Sequence, residues 1–105
     1  MTSAERQLRI EQFEQAHRKR GLPVTVQRRA VFEAILERED HPTADQVCEA
    51  VRARVPGISR MTVYRILGTL ARLGLVAKTC HPGSSARFDP KIRRHHHLVC
   101  LDCDG

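Results

Sequence analysis

The side chains best suited to do chemistry gather near the end of the sequence, in His95-His96-His97 and in Cys100-Leu101-Asp102-Cys103. On a strand, alternate residues share a face, so His95 and His97 point the same way with imidazoles close enough to share a cation. His96 faces away and is given no role. Neutral imidazoles suit a borderline divalent ion such as Fe(II), Mn(II) or Zn(II). Cys100 and Cys103 have the spacing of half a tetrahedral zinc site, for which four thiolates are the common structural solution. Other chemistry is open to the same residues. His-x-His around zinc with a free position could serve a small hydrolase, Cys-x-x-Cys could exchange disulfides, and three histidines could be a plain polar tract. Against an enzyme, no general base is placed by motif and the chain is short for building a pocket. Against redox work, the thiol pair ends the sequence instead of opening a helix after a strand. The expectation is a binding protein with no catalytic residues.

Elements must exist to position those ligands. A chain of 105 residues is one domain, and 41% hydrophobic content with no Trp implies a core of Leu, Ile, Val and Ala, which suits packed helices. No apolar run is long enough to span a bilayer, and Met1–Ile10 lacks an apolar leader, so a cytoplasmic location is expected. In that reducing setting Cys48 and Cys80 read as small packing residues. The pattern predicts a helix over 4–20 with an apolar stripe at Leu8, Phe13 and Ala16. A second runs from Thr25 as N-cap to about Arg38 and buries Ala30, Val31, Ala34 and Ile35. Thr43 caps a third helix, with Gln46 as its capping-box partner, and Pro56-Gly57 stops it. Ser59 caps a fourth that ends at Gly74. At helical spacing Val63, Ile66, Leu67, Leu70 and Leu73 share one face of this last helix. Met61, Tyr64, Arg65, Gly68 and Arg72 share the other, with Arg60 at its edge. After Gly74 the period changes: 75–80 reads as a strand, 81–85 as a turn and 86–89 as a returning strand.

The net charge of +6 is unevenly placed. Residues 59–94 hold eight basic side chains against the single acid Asp89, or +7, whereas the remainder holds ten basic and eleven acidic ones, or −1. A charge run is ordinarily a solvated face. Here it coincides with a docking shape, three helices followed by a basic hairpin. The expected fold is mainly α with a small β wing, a winged helix-turn-helix whose last helix enters the major groove of double-stranded DNA.

Several segments, in order and with compatible spacing, resemble the ferric uptake regulator family. They are Thr25-Val26-Gln27-Arg28-Arg29, His41-Pro42-Thr43-Ala44-Asp45, Thr62-Val63-Tyr64-Arg65, Gly74-Leu75-Val76, Arg87-Phe88-Asp89 and the run from His95 to Cys103. Thr-Val-Tyr-Arg alone is a weak signal; joined to His-x-His and Cys-x-x-Cys at this distance it is specific. The resemblance covers about residue 22 to the end and is closest to the peroxide-regulon repressors. It implies that Tyr64 and Arg65 meet DNA, with Arg28, Arg60, Thr62 and Arg72 completing the expected contact set. Chemistry agrees independently: a tyrosine ring packs on a thymine methyl or its hydroxyl reaches a phosphate, and arginine grips phosphate or a guanine edge.

The resemblance also adds His41 and Asp89 to His95 and His97 as ligands of a regulatory Fe(II) or Mn(II), with Zn(II) an alternative. It further makes Cys100 and Cys103 the first half of a structural zinc site. The expected division is a DNA-binding domain over 1–90, then a hinge and the start of a metal-binding dimerisation domain over 91–105, with most of that second domain missing or truncated. Ligands from both sides of the boundary would let metal lock the DNA-binding heads in one orientation. Many iron-responsive members place Glu where this chain has Asp89, and peroxide-regulon repressors place Asp, so peroxide sensing through oxidation of ligand histidines is a hypothesis. The expected function is a metal-dependent repressor of metal-homeostasis or peroxide-stress genes. It would bind an AT-rich palindrome as a homodimer in the full-length protein. The chief rival is a truncated, metal-binding paralogue without DNA affinity.

Overall fold

Four hydroxyl side chains set where the helices begin. Thr2, Thr25, Thr43 and Ser59 each adopt an extended backbone and accept a hydrogen bond from the amide three residues on, at Glu5, Arg28, Gln46 and Thr62. The structure, a computed structural model, describes residues 2–38, 41–80, 83 and 85–90. From these caps run α1 (Ser3–Lys19), α2 (Val26–Leu36), α3 (Ala44–Arg52) and α4 (Arg60–Arg72), followed by β1 (Ala77–Thr79) and β2 (Arg87–Asp89). The Thr43 cap is a full capping box with Gln46, as the sequence predicts, and Thr2 with Glu5 forms a second one. Gly74 ends α4 in the left-handed region at φ +77. Its amide reaches Ala71 O at 3.1 Å and that of Leu75 reaches Leu70 O at 2.9 Å, so the last carbonyls are satisfied and the chain turns directly into the hairpin.

The core lies where α2, α3 and α4 meet, and Val31, Ile35, Val47, Val51, Val63 and Leu70 are wholly buried there. Phe32, which the sequence reading did not place in the core, stacks on Phe13 with ring centroids 5.0 Å apart and joins α1 to α2. The expected stripe on α1 is corrected. Ile10, Phe13 and His17 are buried, while Leu8 is 55% exposed. A long helix touching a core along a narrow line buries i, i+3 and i+7, and here a histidine falls on that line. A carbonyl only accepts, so His17 Nδ1 carries the proton that goes to Phe13 O at 2.8 Å. Its ring lies 4.3 Å from that of Phe13, and Nε2 is buried with no hydrogen-bond partner among the described residues. Outside the core, Arg6 of α1 and Arg54, just beyond α3, both pair with Glu33 and Glu37 of α2. Partly exposed pairs of this kind contribute at most about 1 kcal/mol each, so they orient the helices more than they hold them.

β1 and β2 pair antiparallel, Ala77 with Asp89, Lys78 with Phe88 and Thr79 with Arg87. β2 has a second neighbour. Thr43 and Arg87 form an isolated bridge, and the Phe88 amide donates to Pro42 O at 2.9 Å. The loop before α3 thus runs along the free edge of β2, and Phe88 is buried in the core. Cys48 is buried as a packing residue, but Cys80 is exposed and is no packing residue; pairing stops at Thr79, and Cys80 lies beyond the sheet.

Candidate nucleic-acid interface and metal pair

The amphipathic pattern of α4 turns its charged side outward because Val63, Ile66, Leu67 and Leu70 are taken up by the core. Arg60, Tyr64, Arg65 and Arg72 are exposed on the opposite side, with Met61 among them. Arg65 lies along the helix with its guanidinium 3.7 Å from Met61 Sδ, and Arg72 reaches Thr69 Oγ1 at 3.4 Å. Neither pairs with an acid among the described residues, so both cations are available to an anionic partner. Thr62 is half-buried. Its hydroxyl lies 2.8 Å from Ser59 Oγ, so it completes the helix cap. Arg28 sits on the first turn of α2 and donates to Pro23 O at 3.2 Å.

A groove of about 550 Å³ separates α4 from the hairpin. Thr43 and Asp45 line one side, Tyr64, Gly68 and Arg72 the floor, and Lys78, Ser85 and Phe88 the other side. A Cβ built on Gly68 would come no closer than 3.5 Å to Arg72, so the helix itself does not require glycine and the space before it is open. Asp45 is the charged group that the sequence reading did not bring to this face. Seen along α4 alone the outer face has no acid, but α3 brings Asp45 to it. Its Oδ1 accepts from the Tyr64 hydroxyl at 3.0 Å and lies 3.1 Å from Arg60. The hydrogen bond to this carboxylate raises the Tyr64 phenol above the ordinary tyrosine value. A tyrosine and an acid 19 residues apart carry no periodic signal, so only the packing of α3 on α4 shows the pair.

Along the free edge of β2, His41 and Asp89 meet. His41 Nδ1 lies 3.3 Å from Asp89 Oδ2. The bridge between the loop and β2 sets this distance, and Arg87 reinforces it by donating to His41 O at 3.1 Å. His41 sits at φ +51, a left-handed conformation uncommon for a residue with a side chain. The donor set suits a divalent ion: two ligand atoms each about 2.1 Å from a tetrahedral metal lie about 3.4 Å apart, close to the spacing seen. Two ligands do not complete a site, and no cluster of three or more metal-binding side chains occurs among the described residues. His95, His97, Cys100 and Cys103, and the whole of 91–105, lie outside the described residues.

Helices α2, α3 and α4, the last presenting an arginine-rich face, and a hairpin folded against that helix define a winged-helix protein. Residues 19–105 match the ferric uptake regulator family, and the chain belongs to it. The peroxide-responsive repressor PerR of Staphylococcus epidermidis is 35% identical over 86 residues, spanning 82% of this chain and 57% of that protein. Among solved structures, the ferric uptake regulator of Helicobacter pylori superposes with a TM-score of 0.76 at 21% identity, over 85% of this chain and 59% of that one. That of Pseudomonas aeruginosa, solved with manganese, gives 0.63 at 29% identity over 73% and 58%. The chain therefore spans somewhat more than half the length of these relatives. No helix among the described residues is long and apolar enough to cross a membrane.

Proposed function

We propose that this chain is the reading head of a metal-dependent DNA-binding repressor. The observation that carries the reading is the juxtaposition along β2. Phe88 lines the groove in front of the cationic α4 face, and the next residue of the strand, Asp89, meets His41. Arg65, Arg72 and Tyr64 would meet the duplex, with Arg60, Thr62 and Arg28 beside them, and Lys78 would reach a flanking phosphate from the wing. His41 and Asp89 would join His95 and His97 around Fe(II), Mn(II) or Zn(II), which when bound supplies the charge that draws the two segments together. Cys100 and Cys103 would supply thiolates to a structural zinc. The operator is an AT-rich palindrome met by a homodimer in the cytoplasm, and the dimer is assembled by parts of the protein beyond the DNA-binding head.

A finer reading is peroxide control. It rests on Asp89 and on the likeness to PerR of Staphylococcus epidermidis, a protein named for its peroxide response. The experiment is fluorescence anisotropy of a labelled AT-rich palindrome with Mn(II) and then with a chelator, on this chain and on the longest product of its gene. Binding that requires metal supports the proposal, and equal binding with and without metal refutes the switch. Iron-loaded protein that keeps its DNA affinity and its histidine masses after peroxide refutes the finer reading.

A further inference from the structure

At the N-terminal end of the α4 face an acid, Asp45, meets two donors. Asp45 Oδ1 takes both the Tyr64 hydroxyl and the Arg60 guanidinium, at 3.0 and 3.1 Å. Asp45 is fixed in the first turn of α3, behind the Thr43 cap, where the helix N-terminus favours a negative charge. It also lines the groove between α4 and the wing, so its carboxylate stands on the surface offered to a polyanion.

We propose that Asp45 is a specificity-determining residue of the DNA interface, which withholds Arg60 and the Tyr64 hydroxyl from phosphate and leaves the Tyr64 ring for base edges. The inference rests on the DNA-binding reading above. Its logic is an asymmetry between two kinds of complex. In a sequence-independent complex Arg60 gains a phosphate only by leaving a carboxylate of similar strength, and Asp45 then faces that phosphate as a like charge. In a base-reading complex Tyr64 keeps its bond to Asp45, which holds the ring in place, and the ring packs on a thymine methyl. The acid thus penalises indiscriminate binding more than selective binding, which is how specificity arises without stronger attraction to the correct site.

The test uses Asp45→Asn, which keeps the shape and the helix-start preference and removes the charge. Anisotropy is measured with Mn(II) between 50 and 200 mM salt on an AT-rich palindrome and on a GC-rich duplex of equal length. The expected result is a severalfold gain on the GC-rich duplex, a smaller gain on the palindrome, and a steepening of the log–log salt slope by about 0.9, the signature of one added phosphate contact. The gain should vanish when Asp45→Asn is combined with Arg60→Gln.

Tyr64 is the sole tyrosine in a chain without tryptophan, so phenolate absorbance reads this hydroxyl directly. Asp45→Asn should bring its titration down toward that of ordinary tyrosine. A titration unmoved by Asp45→Asn overturns the proposal, because the bond is then absent. A lowered titration with unchanged GC-rich affinity and salt slope also overturns it, because the bond is then irrelevant to DNA. Wild-type protein that binds neither duplex refutes the DNA-binding reading itself, and that outcome is seen before any substitution is compared.

Discussion

Replacing Phe13 by Ala should cost most of the stability of this fold and should show that α1 belongs to the cooperative unit. Phe13 is wholly buried, its ring stacks 5.0 Å from Phe32 of α2, and His17 closes its other side at 4.3 Å. A buried phenylalanine cut back to alanine loses about 3–5 kcal/mol, from transfer and from the cavity left behind. Unfolding entropy of about 2 cal/mol/K per residue gives about 0.2 kcal/mol/K for a chain of this size, so the melting temperature should fall by about 15–25 °C. Leu8→Ala is the control. Leu8 lies five residues away on the same helix but is largely exposed, and its loss should stay within about 0.5 kcal/mol. Thermal melts followed by circular dichroism at 222 nm, with urea titrations to confirm an unchanged m-value, measure both. If Phe13→Ala moves the midpoint by no more than Leu8→Ala does, α1 frays independently and the packing argument fails. The outcome reaches beyond stability. Arg9 of α1 donates to Pro90 O at 3.0 Å, so a loosened α1 also releases the residue at which the chain leaves β2.

Other expectations follow from the site. Asp89→Ala should leave the melting curve near wild type in chelator yet weaken Zn(II) or Mn(II) binding by at least about tenfold, since even outer-shell partners of metal ligands cost that much; competition with a chromophoric chelator reads it, and unchanged metal affinity would remove Asp89 from the ligand set. Arg65→Ala should weaken binding to every duplex and flatten the salt slope by about 0.9 if Arg65 holds a phosphate; loss confined to one base position, seen with a panel of single-base operator variants, would reassign it to base reading. Glu5 supplies a pH dependence: the Thr2 amide and then the Thr2 hydroxyl hold its carboxyl below the usual range. A depressed folded pKa means a contribution present above the unfolded value and lost as pH falls through the folded one. The side-chain carboxyl shift of Glu5 in an NMR titration should therefore move at lower pH in the native protein than in urea, and coincident curves would refute the capping box.

The fold was legible in the sequence wherever one helix carries its own signal. Thr43 with Gln46, Ser59 and Gly74 mark starts and stops by local hydrogen bonding, and the α4 pattern sorts Val63, Ile66, Leu67 and Leu70 inward because a helix repeats. On α1 the signal was poor, since charged residues crowd the helix and a histidine takes a core position that a leucine was expected to share. At the site, side chains along α4 could be read by period, whereas Asp45 could not, because its partners lie on another helix. The His41–Asp89 pair had no local signal either. Family resemblance brought the two residues together on paper, and the strand-like run of residues 41–43 beside β2 is the physical reason they stand 3.3 Å apart.

That same run gives β2 an unusual burden for three residues. Arg87 binds the His41 carbonyl, Phe88 plugs the core and Asp89 meets the His41 ring. Side chains alternate along a strand, so these duties cannot be separated by sliding. An inserted residue between Cys80 and Ser85 lengthens the connection between the two strands, a change that chains tolerate well. An insertion or deletion within 87–89 would turn the aromatic plug toward water and a charge toward the core, and would separate Asp89 from His41 in the same stroke. Natural variants of this domain should therefore accumulate length differences before Arg87 and none across the triplet, which makes indel tolerance a readable map of where the α4 groove and the His41–Asp89 pair are joined.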